Sequence, residues 1–178
     1  TRVVLKNLSN KNNIDFVNTD KVMAFDVVAN ATDTTNNTIP AQLANDNTVM
    51  NLPETASVAS RQLEFHRSNG MWMVNNTTWH DVEASNFKLV IGNPKLNDVE
   101  IWSLKNSSGG WFHPVHIHLI DFRILDRNGK APLAHERGPK DVVYVGEGET
   151  VRVIARYGPQ IGRYMIHCHN LAHEDNDM

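Results

Sequence analysis

The chain has 178 residues, 40% of them hydrophobic, which is enough for one good-sized domain with a proper core and some chain to spare. Its formal net charge of -3 gives no electrostatic case for a nucleic-acid or anionic-membrane partner, and no apolar run approaches a membrane span. A single cysteine excludes an internal disulfide and leaves the redox compartment open. The first residue is Thr1, so the lack of a signal peptide decides nothing.

In chain order, Val3–Leu5 and Val22–Val28 are short apolar, β-branched runs separated by an Asn-rich turn. Residues 31–60 are polar, rich in Thr and Asn, and carry Pro40 and Pro53; they read as a linker with at most a helical turn. From Arg61 the pattern becomes a succession of short strands, expected over Gln62–His66, Trp72–Val74, Phe87–Ile91, Val99–Asn106, Val115–Leu125, Asp141–Val145, Thr150–Tyr157 and Gly162–His167. Turn signals separate them: Asn69-Gly70, Asn93-Pro94, Ser108-Gly109-Gly110, Asn128-Gly129, Gly146-Glu147-Gly148 and Gly158-Pro159. No long helix and no repeat is expected. The fold class is all-β, a Greek-key sandwich or barrel.

Two histidine clusters carry the chemistry. The first is His113-Pro114-Val115-His116-Ile117-His118, and the second opens the tail His167-Cys168-His169-Asn170-Leu171-Ala172-His173-Glu174-Asp175-Asn176-Asp177-Met178. Cys, two His and a weak axial Met make a blue-copper ligand set. Cys168, His173 and Met178 supply three of these, and the first cluster offers a fourth. Strand parity sorts the rest, because successive side chains point to opposite faces. His113 and Cys168 form one group, completed by His173 and Met178 from the following loop. His116, His118, His167 and His169 form a second group of imidazoles. The spacing therefore suggests two copper centres, back to back, sharing one backbone segment. Zinc is the competing metal, but it gains little from a thioether. A buried inert thiol is the plain alternative for Cys168, and the flanking histidines argue against it.

The pair HxxHxH and HCHxxxHxxxxM resembles the C-terminal cupredoxin domain of a multicopper oxidase, in the branch that holds bilirubin oxidases and spore-coat laccases. Weaker similarity extends from about Arg61 to Met178 through HPVHIHLIDFRILD, KDVVYVGEGETVRV and GRYMIHCH. The resemblance implies a cupredoxin-like β-sandwich or barrel. It implies that His113, Cys168, His173 and Met178 bind a blue copper, and that His116 binds the lone copper of a trinuclear cluster. It further implies that His118, His167 and His169 bind the coupled copper pair, with Glu174 as an acid that helps deliver protons. The implied activity is the one-electron oxidation of phenols, other aromatic donors or metal ions, with reduction of dioxygen to water. An extracytoplasmic location is implied as well.

The resemblance also sets out domains. Residues 1–30 correspond to the end of a preceding cupredoxin domain, 31–60 to an interdomain linker and 61–178 to the C-terminal domain. The family's trinuclear cluster takes eight histidines, half of them from an N-terminal domain. This chain offers four, because His66 and His80 stand alone upstream of His113. The partners expected are thus the N-terminal cupredoxin domains, a small reducing substrate and O2, and the chain alone is expected to lack oxidase turnover. The alternative reading is a non-enzymatic blue-copper carrier, which leaves the second group of histidines without a purpose.

Other residues take plainer roles. Met23, Met50, Met71, Met73 and Met165 read as core or loop fillers, Trp72, Trp79 and Trp102 as barrel packing, and His135 as a surface residue. Trp111 reads as packing or as an edge of the substrate site. Asp121 reads as an outward-facing acid or as a partner orienting a ligand imidazole. Met178, at the last position, is expected in a frayed, weakly held segment.

Overall fold

The structure is a computed structural model that describes residues 1–7, 20–28, 33, 35, 37–41 and 48–178. The chain divides into two compact units, Thr1–Asp46 and Asn47–Met178. The expected Asn-rich turn and most of the expected linker before Thr48 lie outside the described residues.

In the first unit, strands β1 (Arg2–Lys6) and β2 (Lys21–Asp26) pair antiparallel, with Arg2 opposite Asp26. The Arg2 guanidinium donates to both Asp26 oxygens at 2.8 Å. Every residue of both strands is exposed, Val3, Leu5, Met23 and Phe25 each by about half. An isolated two-stranded sheet with uncovered apolar side chains is marginal in water.

The second unit holds the other strands: β3 (Ala59–Ser68), β4 (Met71–Val74), β5 (Val99–Asn106), β6 (His113–Ile117), β7 (Phe122–Arg127), β8 (Val142–Val145), β9 (Thr150–Arg156) and β10 (Ile166–Cys168). They form a five-stranded sheet in the order β4-β3-β5-β9-β7 and a three-stranded sheet in the order β10-β6-β8. Among the described residues of this unit, only the β3–β5 pairing is parallel. Leu63, Phe65, Leu104 and Val153 from the larger sheet meet Val115, Val143, Val145 and Cys168 from the smaller in a single core. This is an all-β sandwich, as expected.

Strand β5 is buried on both faces, because its residues alternate between two cores. Trp102 and Leu104 face the smaller sheet. Val99 and Ile101 pack with Ile154 against Val49 and Leu52, which lie on the segment before β3. Residues 48–58, read from sequence as linker, therefore include side chains that cover the outer face of the second unit.

Three strand expectations need correction. Phe87–Ile91 is not a strand; it follows the short helix α1 (Trp79–Ala84) as a loop. Thr78 caps this helix through a reciprocal bond with Asp81, and Asn86 and Phe87 then turn the chain with φ of 55° and 58°. Val115–Leu125 is two strands, because the chain leaves the smaller sheet after Ile117 and enters the larger at Phe122. Leu119 makes that turn at a φ of 64°. Of Gly162–His167, only the end is strand, in β10. The expected absence of a long helix holds among the described residues: α1 has six residues, and α2 (Leu171–Glu174) has four. Among the described residues, no helix is long and apolar enough to cross a membrane.

Candidate metal centres

Strands β6 and β10 pair antiparallel, with His116 opposite His167 and Val115 opposite Cys168. The pairing is extended by bonds from His169 N–H to Pro114 O at 2.7 Å and from His118 N–H to Met165 O at 3.1 Å. This register brings the two sequence clusters together. Alternation then separates their side chains, so His113 and Cys168 face the core with Val115, while His116, His118, His167 and His169 share the opposite face.

On the core side, His113, Cys168 and His173 are all buried, and their ligand atoms lie within 4.8 Å of one another. Cys168 Sγ is 3.6 Å from His173 Nδ1 and accepts the Asn170 N–H at 3.4 Å. Asn170 also caps α2 by accepting the Ala172 N–H, and that single turn swings His173 inward. Met178 is buried in the same core as Cys168. Its carbonyl accepts the Cys168 N–H at 2.9 Å and its N–H donates to His173 O at 3.1 Å, so the terminal segment is tied to β10 rather than frayed.

The site's electrostatics fit a soft cation. Burial pushes the Cys168 thiol up to about 12, and burial, then the neighbouring His173, pushes His113 down to about 3. Burial thus keeps His113 as the neutral imidazole that a metal ligand must be, and places its penalty on the Cys168 thiolate. A bound cation offsets that penalty by favouring the thiolate, and the neutral imidazole offers it a lone pair without losing a proton first. His113 Nδ1 is buried with no hydrogen-bond partner, the state expected of a nitrogen reserved for a metal.

On the other face, neighbouring imidazole centroids lie 4.6 to 5.5 Å apart, from His167–His169 to His116–His167. The Nε2 atoms of His118 and His167 are 3.0 Å apart. His116 Nδ1 donates to the Asp141 backbone carbonyl at 2.8 Å, which leaves its Nε2 with the lone pair. Burial first, and nearby imidazoles second, lower the His118 pKa; burial likewise leads the lowering at His167. Glu174 Oε1 lies 3.6 Å from His167 Nδ1 and Oε2 lies 3.7 Å from His169 Nδ1. An apolar cleft of about 990 Å3 runs beside this face, with Trp79, Phe87, Leu89, Ile91 and Met165 among its walls.

Trp72, Ser108 and Asn106 were not legible as part of a site, whereas for Trp111 and Asp121 a site role is one of two readings. Trp72 packs against the His173 ring at 4.3 Å and the His113 ring at 5.4 Å, and Trp111 meets His173 at 5.2 Å. Trp72 and Trp102 do belong to the core, whereas Trp79 packs on Phe87 beside the cleft. Asp121 is exposed, and the group that orients His116 is the main chain of Asp141. Ser108 and Asn106, which read as turn and strand end, lie beside His113. His66 and His80 enter no ligand group among the described residues, and His135 is exposed.

An all-β sandwich with a buried thiol–imidazole pocket on one side of a strand and clustered imidazoles on the other defines a copper protein of the cupredoxin class. Residues 53–178 match the sequence model of the multicopper oxidase family. A bilirubin oxidase from Albifimbria verrucaria is 40% identical over 168 residues, covering 92% of this chain and 28% of its own length. A laccase from Bacillus subtilis is 38% identical over 142 residues, covering 70% of this chain and 26% of its own. The crystal structure of a laccase from Pediococcus acidilactici matches with a TM-score of 0.65 at 27% identity, over 79% of this chain and 29% of that one. That of the McoA multicopper oxidase from Aquifex aeolicus matches with a TM-score of 0.59 at 31% identity, over 71% and 29%. The chain belongs to the multicopper oxidases, whose cofactor is copper. It spans between a quarter and a third of the length of these relatives.

Proposed function

We propose that this chain is the C-terminal part of a multicopper oxidase, with His113, Cys168, His173 and Met178 holding a blue copper and His116, His118, His167 and His169 holding half of a trinuclear cluster. The observation that carries this reading is the alternation on β10: Cys168 belongs to one ligand group while His167 belongs to the other. Bound copper supplies one-electron oxidation of a donor and reduction of dioxygen to water. The chain's own part is to position and connect. The Cys168 main chain joins it covalently to His167 and His169, a short path between the two groups. Glu174 sits where it can hold a proton beside the histidine face.

The missing ligands belong, on this reading, to N-terminal cupredoxin domains that cover the apolar cleft. Residues 1–30 are then the end of the preceding domain and 31–60 begin as interdomain linker. The donor is a small phenolic or other aromatic molecule, or a metal ion, and the whole protein works outside the cytoplasm. A blue-copper carrier would need only the buried group and would leave the clustered imidazoles idle.

Oxygen uptake with a phenolic donor tests this. The full-length copper-loaded protein should turn over and show a strong blue absorption band, and Cys168→Ser should abolish both. The chain alone should show no turnover, since it holds only half of the cluster ligands. Turnover by the chain alone, or a blue band that survives Cys168→Ser, would refute the proposal.

A further inference from the structure

The two ring nitrogens of His113 have different surroundings. Nε2 lies 2.9 Å from Ser108 Oγ, while Nδ1 is buried without a hydrogen-bond partner. The direction of the Ser108 bond decides which nitrogen carries the proton. A hydroxyl has one proton to donate. Ser108 Oγ lies 2.5 Å from Asn106 Oδ1, and the same oxygen accepts the Ser108 backbone N–H at 3.0 Å.

The Asn106 amide cannot be turned round. Its Nδ2 donates to two backbone carbonyls, Trp111 O at 2.9 Å and Val145 O at 3.0 Å. A flipped amide would set its oxygen against both. Asn106 Oδ1 is therefore an acceptor, the Ser108 proton goes to it, and Ser108 Oγ is left to accept. The proton between Ser108 and His113 sits on Nε2. A neutral imidazole carries one N–H, so Nδ1 holds the lone pair. Asn106 and His113 have no exposure and Ser108 only 6%, so water offers no competing partner.

We propose that Asn106 and Ser108 are positioning residues for the blue-copper site, a buried relay that fixes His113 as its Nε2–H tautomer and reserves Nδ1 for the metal. The proposal rests on His113 being a copper ligand. The relay also sets where the ring lies, because Asn106 ends β5 while its amide grips the loop before β6 and the end of β8. Hydrogen bonding of this kind raises the basicity of a ligand imidazole and holds its plane.

The test is made in the full-length protein. Ser108→Ala should lower the copper affinity of the blue site about 10- to 100-fold and shift its visible band and reduction potential. Ser108→Thr keeps the hydroxyl and should restore all three. Nitrogen NMR of the metal-free wild type should find His113 protonated at Nε2, a measurement that needs no variant to fold. A proton on Nδ1 overturns the relay, as does a blue wild type whose affinity, band and potential Ser108→Ala leaves unchanged. Copper uptake by the wild type without a blue band overturns the ligand assignment instead, and the purpose of the relay with it.

Discussion

At the scale of single residues, Cys168 is the informative side chain. Burial holds its thiol up to about 12, so the neutral form prevails across the physiological range. On the proposed assignment copper takes the Cys168 thiolate, so uptake must release that proton. His113, pushed down to about 3, is already neutral and releases none. Raising the pH therefore favours binding: affinity at the buried site should climb about tenfold per pH unit between roughly pH 7 and 9. Competition against a chelator of known pH dependence would measure this, and a flat profile would contradict it. The candidate ligands could be picked out because Cys, His and Met in that spacing have few other reasons to co-occur, and the structure brings His113, Cys168 and His173 together. Ser108 was not legible, since Ser-Gly-Gly reads as a turn and its bond to His113 depends on the loop returning to β5. Trp72 was not legible either, because an aromatic residue in a strand is by default a core residue.

At the scale of elements, β10 shows what local periodicity can reveal. The period of two separates Cys168 from His167 and His169 without any knowledge of the sheet. Helix α1 shows the opposite case. Phe87-Lys88-Leu89-Val90-Ile91 is apolar enough for a strand, but it lines a cleft instead, after a helix whose start is marked by Thr78 and Asp81. Thr-x-x-Asp over residues 78–81 was the available signal, a variant of the capping box. Thr78 accepts the Asp81 N–H at 3.1 Å and donates its own N–H to the Asp81 carboxylate at 2.9 Å. Thr78→Ala should cost about 1 kcal/mol in chemical denaturation. A cost near zero would mean that packing on Phe87 holds the helix without its cap.

At the scale of the whole molecule, the boundary of the second unit is the testable feature. The sequence reading places its start at Arg61, whereas the contacts divide the chain after Asp46. Val49 and Leu52 are buried against Val99, Ile101 and Ile154. Each such side chain contributes about 1.5–3 kcal/mol when fully buried. A chain of residues 47–178 should therefore unfold cooperatively, and one of residues 61–178 should be less stable by about 3 kcal/mol or more. Equal stability of the two, read by urea denaturation, would show that the segment before β3 adds nothing.

By itself the sequence determined the fold class, the two candidate ligand groups and the faces they occupy, because residue chemistry and a two-residue period are properties of short stretches. Tertiary structure alone decided the register that sets His116 opposite His167 and the burial that shifts Cys168 and His113. It also decided the turn at Leu119 that carries the chain between sheets and the relay from Asn106 to His113. These depend on residues distant in the chain meeting at fixed distances, and no local pattern encodes a distance.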